Sequence, residues 1–168
     1  MANLSPIYEE KSVKMSEGIK LVTTNKKAFH DYHIQEKLEA GMVLIGTEVK
    51  SLREGRCNLK DSYARIKNGE VWLIGMHISP YKNEGYVTHD PTRNRKLLLH
   101  KNEIKRLHRK VQEKGVTLVP LRVYFKSGWA KVELGLATGK HQYDKRQEIA
   151  RRQQERDMKR LEKKYRIK

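Results

Sequence analysis

The sequence predicts a mainly β fold: a small, closed antiparallel barrel with short helices, followed by a basic C-terminal tail. Two observations favour this fold. Short apolar runs bounded by turn residues are typical of strands, and Asn68-Gly69 between two such runs is a strong hairpin signal. After Gly139 the apolar runs stop, and Lys and Arg dominate. We therefore expect a flexible leader, a folded barrel and a tail at residues 1–20, 21–139 and 140–168.

The first half of the barrel is predicted to contain short strands and one helix. The apolar pattern predicts strands at residues 29–37, 42–45, 62–66 and 71–78. Val49 and Leu52 lie three residues apart, as they would on one face of a helix. Gly55 supplies a stop, so residues 47–53 are predicted to form a short helix. Residues 82–96 are polar and basic, which indicates an exposed loop.

The second half is predicted to contain a second helix and a second hairpin. Ile104, Leu107 and Val111 lie at helical spacing, and Gly115 marks the end of a helix over residues 101–114. Strands are predicted at residues 117–125 and 129–136, joined at Ser127-Gly128. Short antiparallel strands with helices between them favour a closed barrel, because closure removes exposed sheet edges. An oligonucleotide-binding barrel has this order of elements.

The net charge indicates a polyanionic partner. The chain has 37 Lys and Arg against 20 Asp and Glu, a formal charge of +17. Such an excess repels itself unless a polyanion neutralises it, and nucleic acid does so with release of counterions. Anionic membrane is the competing partner, but it requires an amphipathic anchor helix or a lipidation signal. The sequence contains neither pattern, so we expect a nucleic acid and no membrane contact.

Other functional classes are disfavoured by composition. The apolar runs are too short to span a bilayer, and no apolar segment of a secretion signal follows the first residues. Cys57 is the single cysteine, which fits a reducing cytoplasm. One Cys and seven scattered His offer no zinc-ligand spacing, so we expect no metal and no cofactor.

Several polar segments are candidates for RNA contact. Residues 92–96 form a dense basic segment before a strand, so phosphate contact is favoured over a passive solvated loop. Asn25-Lys26-Lys27 is either such a contact or an ordinary solvated cluster. Glu39 is either a surface acid or an acceptor of hydrogen bonds from bases or ribose. Two further segments, at Gly135 and Gly139-Lys140, are either a binding loop or a plain strand end.

The two tryptophans and the tail have simpler interpretations. Trp72 and Trp129 occupy strand positions and are predicted to lie in the core. The tail has high helix propensity but few apolar side chains, so a helix there would be marginal in water. We expect the tail to be disordered when free and helical when phosphates neutralise it.

An enzyme is the alternative that the histidines raise. Two imidazoles could act as acid and base around a phosphate in a metal-free ribonuclease. His30 and His33 are three apart and would point to opposite faces of a strand. The other His have no Ser, Cys or carboxylate at a suggestive spacing, so a non-enzymatic RNA-binding protein is favoured. A ribosomal or assembly protein that uses the same barrel for rRNA is a further alternative.

A series of ordered sequence blocks resembles one known family. The blocks include Asn25-Lys26-Lys27-Ala28, Glu39-Ala40-Gly41, 46–53 (GTEVKSLR), 93–100 (RNRKLLLH), 117–121 (TLVPL) and 143–146 (YDKR). Over about residues 21–150 the chain resembles the SsrA-binding protein family, also called small protein B.

The resemblance implies a fold, a function and partners. The implied fold is an oligonucleotide-binding barrel with flanking helices. The implied function is that of a non-enzymatic, monomeric adaptor in trans-translation, which rescues stalled ribosomes. Such an adaptor binds the tRNA-like domain of transfer-messenger RNA (tmRNA) and delivers it to the ribosome. Its tail then probes the empty mRNA channel near the decoding centre, along 16S rRNA.

The resemblance also implies site residues by matching positions. Residues of the RNA-binding face would be Asn25, Glu39, Leu97 and Lys131. Phosphate contacts would be Lys26, Lys27, Arg93, Arg95 and Lys140. The tail motif would be Tyr143, Asp144, Lys145 and Arg146, with the Tyr143 ring placed to stack on a base of the decoding centre.

Overall fold

The computed structural model describes residues 18–83, 85, 88–140 and 142–166, without the side chains of 142–145 and 148. Its strands are β1 (Ile19–Thr24), β2 (Tyr32–Met42), β3 (Cys57–Asn58), β4 (Tyr63–Lys67), β5 (Glu70–Ile74), β6 (His77–Ile78), β7 (Arg95–Leu98), β8 (Val116–Lys126) and β9 (Trp129–Gly139). Its helices are α1 (Lys26–Asp31), α2 (Gly46–Arg53), α3 (Lys101–Val111) and α4 (Gln142–Tyr165). Most of the predicted leader lies outside the described residues, and its last two positions already belong to β1.

The strands close into an antiparallel barrel. Around the ring the order is β8-β4-β5-β7-β2-β9, and β9 pairs again with β8. β1 pairs with residues 122–126 of β8, while Ala64 of β4 meets β8 further back at Leu118. The short pair β3–β6 forms a separate sheet. The prediction of a mainly β, antiparallel fold with short helices is confirmed.

Both predicted hairpins are present, and their turns explain why. A type I′ turn matches the twist of its strands but needs positive φ at both central residues. Asn68 and Gly69 have φ of 52° and 71° between β4 and β5. Ser127 and Gly128 have φ of 51° and 81° between β8 and β9. The two turns therefore fix the register of the barrel wall.

The core fills the barrel and is closed by two helices. Alternate residues of β2, β5, β8 and β9 point inward, and Leu73 and Leu134 are fully buried. Leu52 of α2 and Leu107 of α3 are also fully buried in this cluster. These are the two helices that the sequence predicted. The short helix α1 packs on the outside of the barrel instead, in a smaller cluster formed by Ala28, Val119, Leu121 and Ala137.

Four local predictions are corrected by the structure. The segment 42–45 is not a strand of its own, because β2 ends at Met42 and residues 43–45 lead into α2. Residues 29–31 belong to α1 and not to a strand, because Asn25 caps a helix there that packs on β8. The segment 71–78 is two strands, since Gly75 breaks it at a φ of 81°. The segment 82–96 is not simply an exposed loop: His89 is buried, and Arg95 begins the central strand β7 with no exposed surface.

Gly135 is part of the barrel wall, and it is neither in a binding loop nor at a strand end. It lies in the middle of β9, opposite Lys37 of β2 and Val119 of β8. A Cβ atom there would lie 2.9 Å from Cδ1 of Leu121 and 3.3 Å from Cγ2 of Ile34. The absence of a side chain at Gly135 therefore allows two neighbouring strands and their outward side chains to pack closely.

The tail is helical as α4, and the expectation that it is disordered when free stays a prediction. Its described side chains are all exposed, including Ile149 and Tyr165 at 68% and 77%. Its residues have the high helix propensity noted above, and the Arg151–Glu155 pair lies at i,i+4 spacing. At 24 residues it is long enough to span a bilayer, but none of the helices in the described segments combines such a length with the apolar composition that a membrane span needs.

Candidate nucleic-acid interface

A continuous polar and aromatic surface covers the outer side of β2, β8 and β9. Strand register places Lys131 of β9 opposite both Gly41 of β2 and Tyr124 of β8. Glu39 lies two residues before Gly41, on the same side of β2. We call this surface the Glu39 face and define it by Leu21, Glu39, Tyr124, Lys126, Trp129 and Lys131.

Hydrogen bonds hold the Glu39 carboxylate in one position. The Tyr124 hydroxyl donates to Oε2 at 2.5 Å, and Lys126 Nζ lies 3.3 Å from the same oxygen. The hydrogen bond from Tyr124 is the largest influence and lowers the pKa of Glu39 below its usual value. Burial opposes this effect, and Lys126 and Lys131 lower the pKa further. Glu39 is therefore ionised at neutral pH, and its remaining lone pairs face solvent as acceptors.

Aromatic and apolar side chains surround this carboxylate. Trp129 is 73% exposed and pairs with Lys126 across the hairpin, and Leu21 is 51% exposed and pairs with Tyr124. The prediction that Trp129 belongs to the core is wrong, because it lies at the strand end on the outward side. An exposed ring beside cations is the combination that stacks on unpaired bases while the cations contact phosphates.

Sequence reasoning identified Glu39 and Lys131 but missed the other members of the Glu39 face. The signal was present. Side chains alternate along a strand, so Trp129 must share a side with Lys131. The tight Ser127-Gly128 turn then sets Lys126 opposite Trp129.

Helix α1 presents two of the predicted cations beside a structural Asn25. Lys26 and Lys27 are exposed, and Lys27 Nζ pairs with Asp61 at 2.5 Å. Asn25 is buried: its Oδ1 accepts from the Ala28 N–H and its Nδ2 donates to the Leu59 and Pro120 carbonyls. Asn25 therefore positions Lys26 and Lys27, and its own buried side chain is engaged within the protein and does not offer a surface contact.

Arg95 is engaged inside the protein, so the prediction of a phosphate contact there is corrected. Its side chain has no exposed surface, and its Nε donates to Glu48 Oε1 at 2.9 Å. Its Nη1 donates to the Met76 carbonyl at 2.7 Å. Arg93 donates to Glu48 Oε2 at 2.7 Å but keeps 34% of its side chain exposed. Of the two arginines, Arg93 alone can also reach an external anion.

The Glu48 carboxylate holds this cluster together. Burial would raise its pKa, but hydrogen bonds from Arg93 and the Ile45 N–H, with the charges of both arginines, outweigh burial and lower the pKa. His89 joins the same buried region by donating from Nε2 to the Ile78 carbonyl at 3.0 Å. The cluster thus fixes the segment 88–95 against α2.

Leu97 is a core residue of β7 and not a surface contact. It is 2% exposed and packs in the main cluster, opposite Val71 and Met42 in the sheet. Strand alternation explains the correction, since the neighbours Lys96 and Leu98 take the outward positions.

Comparison with known proteins identifies the family of the chain. The family model described as SmpB protein matches residues 22–164. The chain belongs to the SmpB family. Related proteins called SsrA-binding protein include one from Desulfitobacterium hafniense (strain DSM 10664 / DCB-2), 59% identical over 86% of this chain and 93% of its own length. Those from Syntrophobacter fumaroxidans and Sulfurihydrogenibium sp. are 60% and 63% identical, over 90% and 84% of this chain and 94% and 90% of their own lengths.

A solved structure agrees with this assignment to the SmpB family. It is described as "tmRNA-SmpB: a journey to the center of the bacterial ribosome", and its matching chain is 53% identical in sequence. The TM-score is 0.62, over 71% of this chain and 84% of that one. The barrel and its topology are therefore those of an SmpB protein.

The start of the tail continues directly from the barrel in this SmpB family member. Lys140 is half-buried, and its backbone N–H donates to the Asp31 carbonyl at 2.9 Å. This bond joins the end of β9 to the end of α1. In the predicted tail motif, Arg146 is exposed, whereas the side chains of Tyr143, Asp144 and Lys145 lie outside the described part.

Several titratable groups among the described residues bear on the question of catalysis. Within the described ranges no group of three His, Cys, Asp or Glu could hold a metal ion. Burial raises the pKa of the Cys57 thiol to about 11, so it is protonated at neutral pH and not a nucleophile. His30 Nδ1 lies 2.8 Å from Asp31 Oδ1, whereas His89 is occupied in the buried cluster.

Proposed function

We propose that this chain is a non-enzymatic adaptor that binds the tRNA-like domain of tmRNA and delivers it to stalled ribosomes for trans-translation. The observation that carries the proposal is the match to SsrA-binding proteins at about 60% identity over nearly their whole length. The net charge of +17 and the exposed aromatic and polar side chains of the Glu39 face also suit RNA binding. Such an adaptor works in the bacterial cytoplasm, as a monomer and without a cofactor.

Two separate surfaces divide this work in the proposal. The Glu39 face and the cations Lys26 and Lys27 bind the folded RNA: Glu39 accepts from bases or ribose, and the lysines contact phosphates. Tyr143, Asp144, Lys145 and Arg146 act at the decoding centre, with the rest of α4 in the mRNA channel. The exposed helix α4 supports this role, because the cations among its described side chains are exposed and can meet rRNA phosphates.

The first test is a gel-shift assay with the cognate tmRNA at near-physiological salt, against excess bulk tRNA. Full-length protein is compared with a truncation after Lys140. Binding by both forms that survives the competitor is expected, because recognition is placed in the barrel. Binding that bulk tRNA removes, or that disappears with the tail, would reduce the protein to a general polycation.

Substitutions on the Glu39 face test the proposed contacts in the same assay. Glu39→Gln and Lys131→Gln are each expected to weaken tmRNA binding about tenfold, the effect of losing a charge-assisted hydrogen bond. Glu113→Gln and Lys114→Gln are matched controls, because they make the same charge changes at exposed positions after α3. Losses of the same size with both controls would show that the effect of the substitutions is not specific to the Glu39 face.

A further inference from the structure

Apart from the Glu39 face, the barrel has a groove on the outer side of β4, β5 and β7. It encloses about 420 Å³ and is lined by Arg65, Lys67, Glu70, Trp72 and Asn94, among others. None of these residues belongs to the Glu39 face or to the tail motif. We call it the Trp72 groove.

Strand alternation places the Trp72 ring on the outside of the barrel. Its neighbours Val71 and Leu73 are fully buried in the core, whereas Trp72 is half-buried. The prediction of a core position for Trp72 is therefore corrected. Its side chain is one of those that line the groove.

Cations flank the ring on both sides. In the sheet register, Arg65 of β4 lies opposite Trp72, and Lys96 of β7 lies opposite it on the other side. Lys96 is paired with Glu70 at 2.7 Å. Arg65 and Lys67 are exposed, and neither has an ion-pair partner among the described residues. The unpaired charge along β4 is therefore positive, which suits a phosphate backbone.

The position of the groove leaves it accessible when the Glu39 face is occupied. The ring order β8-β4-β5-β7-β2-β9 sets β5 across the barrel from β9. A ligand on Lys131 and a ligand on Trp72 therefore approach the barrel from different directions.

We propose that the Trp72 groove binds a single-stranded RNA segment, independently of the Glu39 face. One base stacks on the Trp72 ring, Arg65 and Lys67 contact the adjoining phosphates, and the Asn94 amide offers hydrogen bonds to a base edge. A duplex does not satisfy this arrangement, because its bases are already stacked on each other. The proposal does not depend on the identity of the RNA that occupies the Glu39 face.

The two tryptophans of the chain allow a direct test, since each can be observed alone. In full-length Trp129→Phe, the remaining indole is that of Trp72. Titration with an unstructured octauridine RNA is expected to quench its fluorescence saturably, because stacking places a base on the ring. A duplex RNA of the same length is expected to leave the fluorescence nearly unchanged. Absence of quenching by octauridine, or equal quenching by the duplex, overturns the proposal.

Substitutions identify the residues that bind, with fluorescein-labelled octauridine and anisotropy as the readout. Trp72→Leu and Arg65→Gln are each expected to raise the Kd about tenfold. Lys37→Gln removes one charge from an exposed position on β2 and is expected to change the Kd less than twofold. Urea unfolding of each variant verifies the fold. If Lys37→Gln weakens binding as much as Arg65→Gln, the affinity is that of a general polycation and the groove is not a site.

Discussion

Among individual residues, Glu48 connects parts of the chain that no sequence pattern around it would pair. It has no exposed surface and accepts from Arg93, Arg95 and the Ile45 N–H. Removing one partner of a buried ion pair leaves an uncompensated charge, here that of Arg95, so Glu48→Gln is expected to lower the free energy of unfolding by about 3 kcal/mol. Urea unfolding at pH 7 measures this change as a shift of the midpoint at constant slope.

The control for this substitution is Glu70→Gln. Glu70 pairs with Lys96, and their side chains are 41% and 39% exposed, respectively. Exposed pairs contribute no more than about 1 kcal/mol, so the control should change stability little. Equal effects of the two substitutions would mean that the Glu48 cluster does not stabilise the fold.

The same cluster gives a pH dependence with a definite sign. The pKa of Glu48 is lowered from 4.5 in the folded protein. A lowered pKa contributes stability that is fully present above about pH 4.5 and is lost as the pH falls through the folded value. The difference in stability between the native protein and Glu48→Gln should therefore shrink as the pH is lowered below 4.5, while the other carboxylates largely cancel. A difference that stays constant down to acid unfolding would contradict the assigned role.

For individual residues, the sequence predicts which side chains are charged but not which groups they contact. Lys26, Arg93 and Arg95 are all basic residues in polar segments, and all three were predicted to contact phosphates. Only the fold shows that Arg95 turns inward to Glu48, which lies 47 residues earlier in the chain. Long-range pairing leaves no local pattern, and so it could not be predicted from composition or spacing.

Among the elements, strand β9 contains the glycine at which an added Cβ atom would make the shortest contact of any described glycine, Gly135. A Cβ atom at this position would meet Leu121 at 2.9 Å, closer than ordinary van der Waals contact. Gly135→Ala is expected to lower the free energy of unfolding by about 1–3 kcal/mol, because overpacking forces neighbouring side chains or strands apart. Gly139→Ala is the matched control, since nothing lies within 4 Å of a Cβ atom there. Thermal unfolding of both variants measures the difference. Equal melting temperatures would show that a side chain at position 135 does not crowd its neighbours.

Elements with local signals were predicted well, and elements without them were not. Asn68-Gly69 and Ser127-Gly128 require the conformation that tight hairpins use, so both hairpins followed from the sequence. Helices α2 and α3 followed from apolar spacing and a terminal Gly. Helix α1 was missed because its six residues have one buried side chain, Ala28, and its start depends on the Asn25 cap and on packing against β8.

For the whole molecule, the relation between barrel and tail can be measured as stability. The described side chains of α4 are exposed, so the tail adds no buried apolar surface to the core. Truncation after Lys140 is expected to leave the urea midpoint of the barrel unchanged while reducing the helical signal in circular dichroism. A large fall in the midpoint would mean that α4 packs on the barrel. A full-length spectrum without the helical contribution of α4 would instead support the sequence-based expectation of a tail that folds only on binding.

The same separation gives a functional prediction for the two ends of the molecule. Replacing Asp144, Lys145 and Arg146 together with Ala removes side chains of the tail but none from the Glu39 face. The variant is therefore expected to bind tmRNA as tightly as the native protein in a gel shift, yet to support little alanine transfer from tmRNA on stalled ribosomes. Lys131→Gln is the complementary variant, because it should lose RNA affinity while its tail is intact.

Protein concentration distinguishes these two defects. Raising it should restore alanine transfer with Lys131→Gln, since mass action compensates for weak binding. It should not restore transfer with the triple Ala variant, whose bound complex fails at a later step. Rescue of both variants by concentration, or loss of RNA affinity in the triple variant, would mean that barrel and tail act as one binding surface.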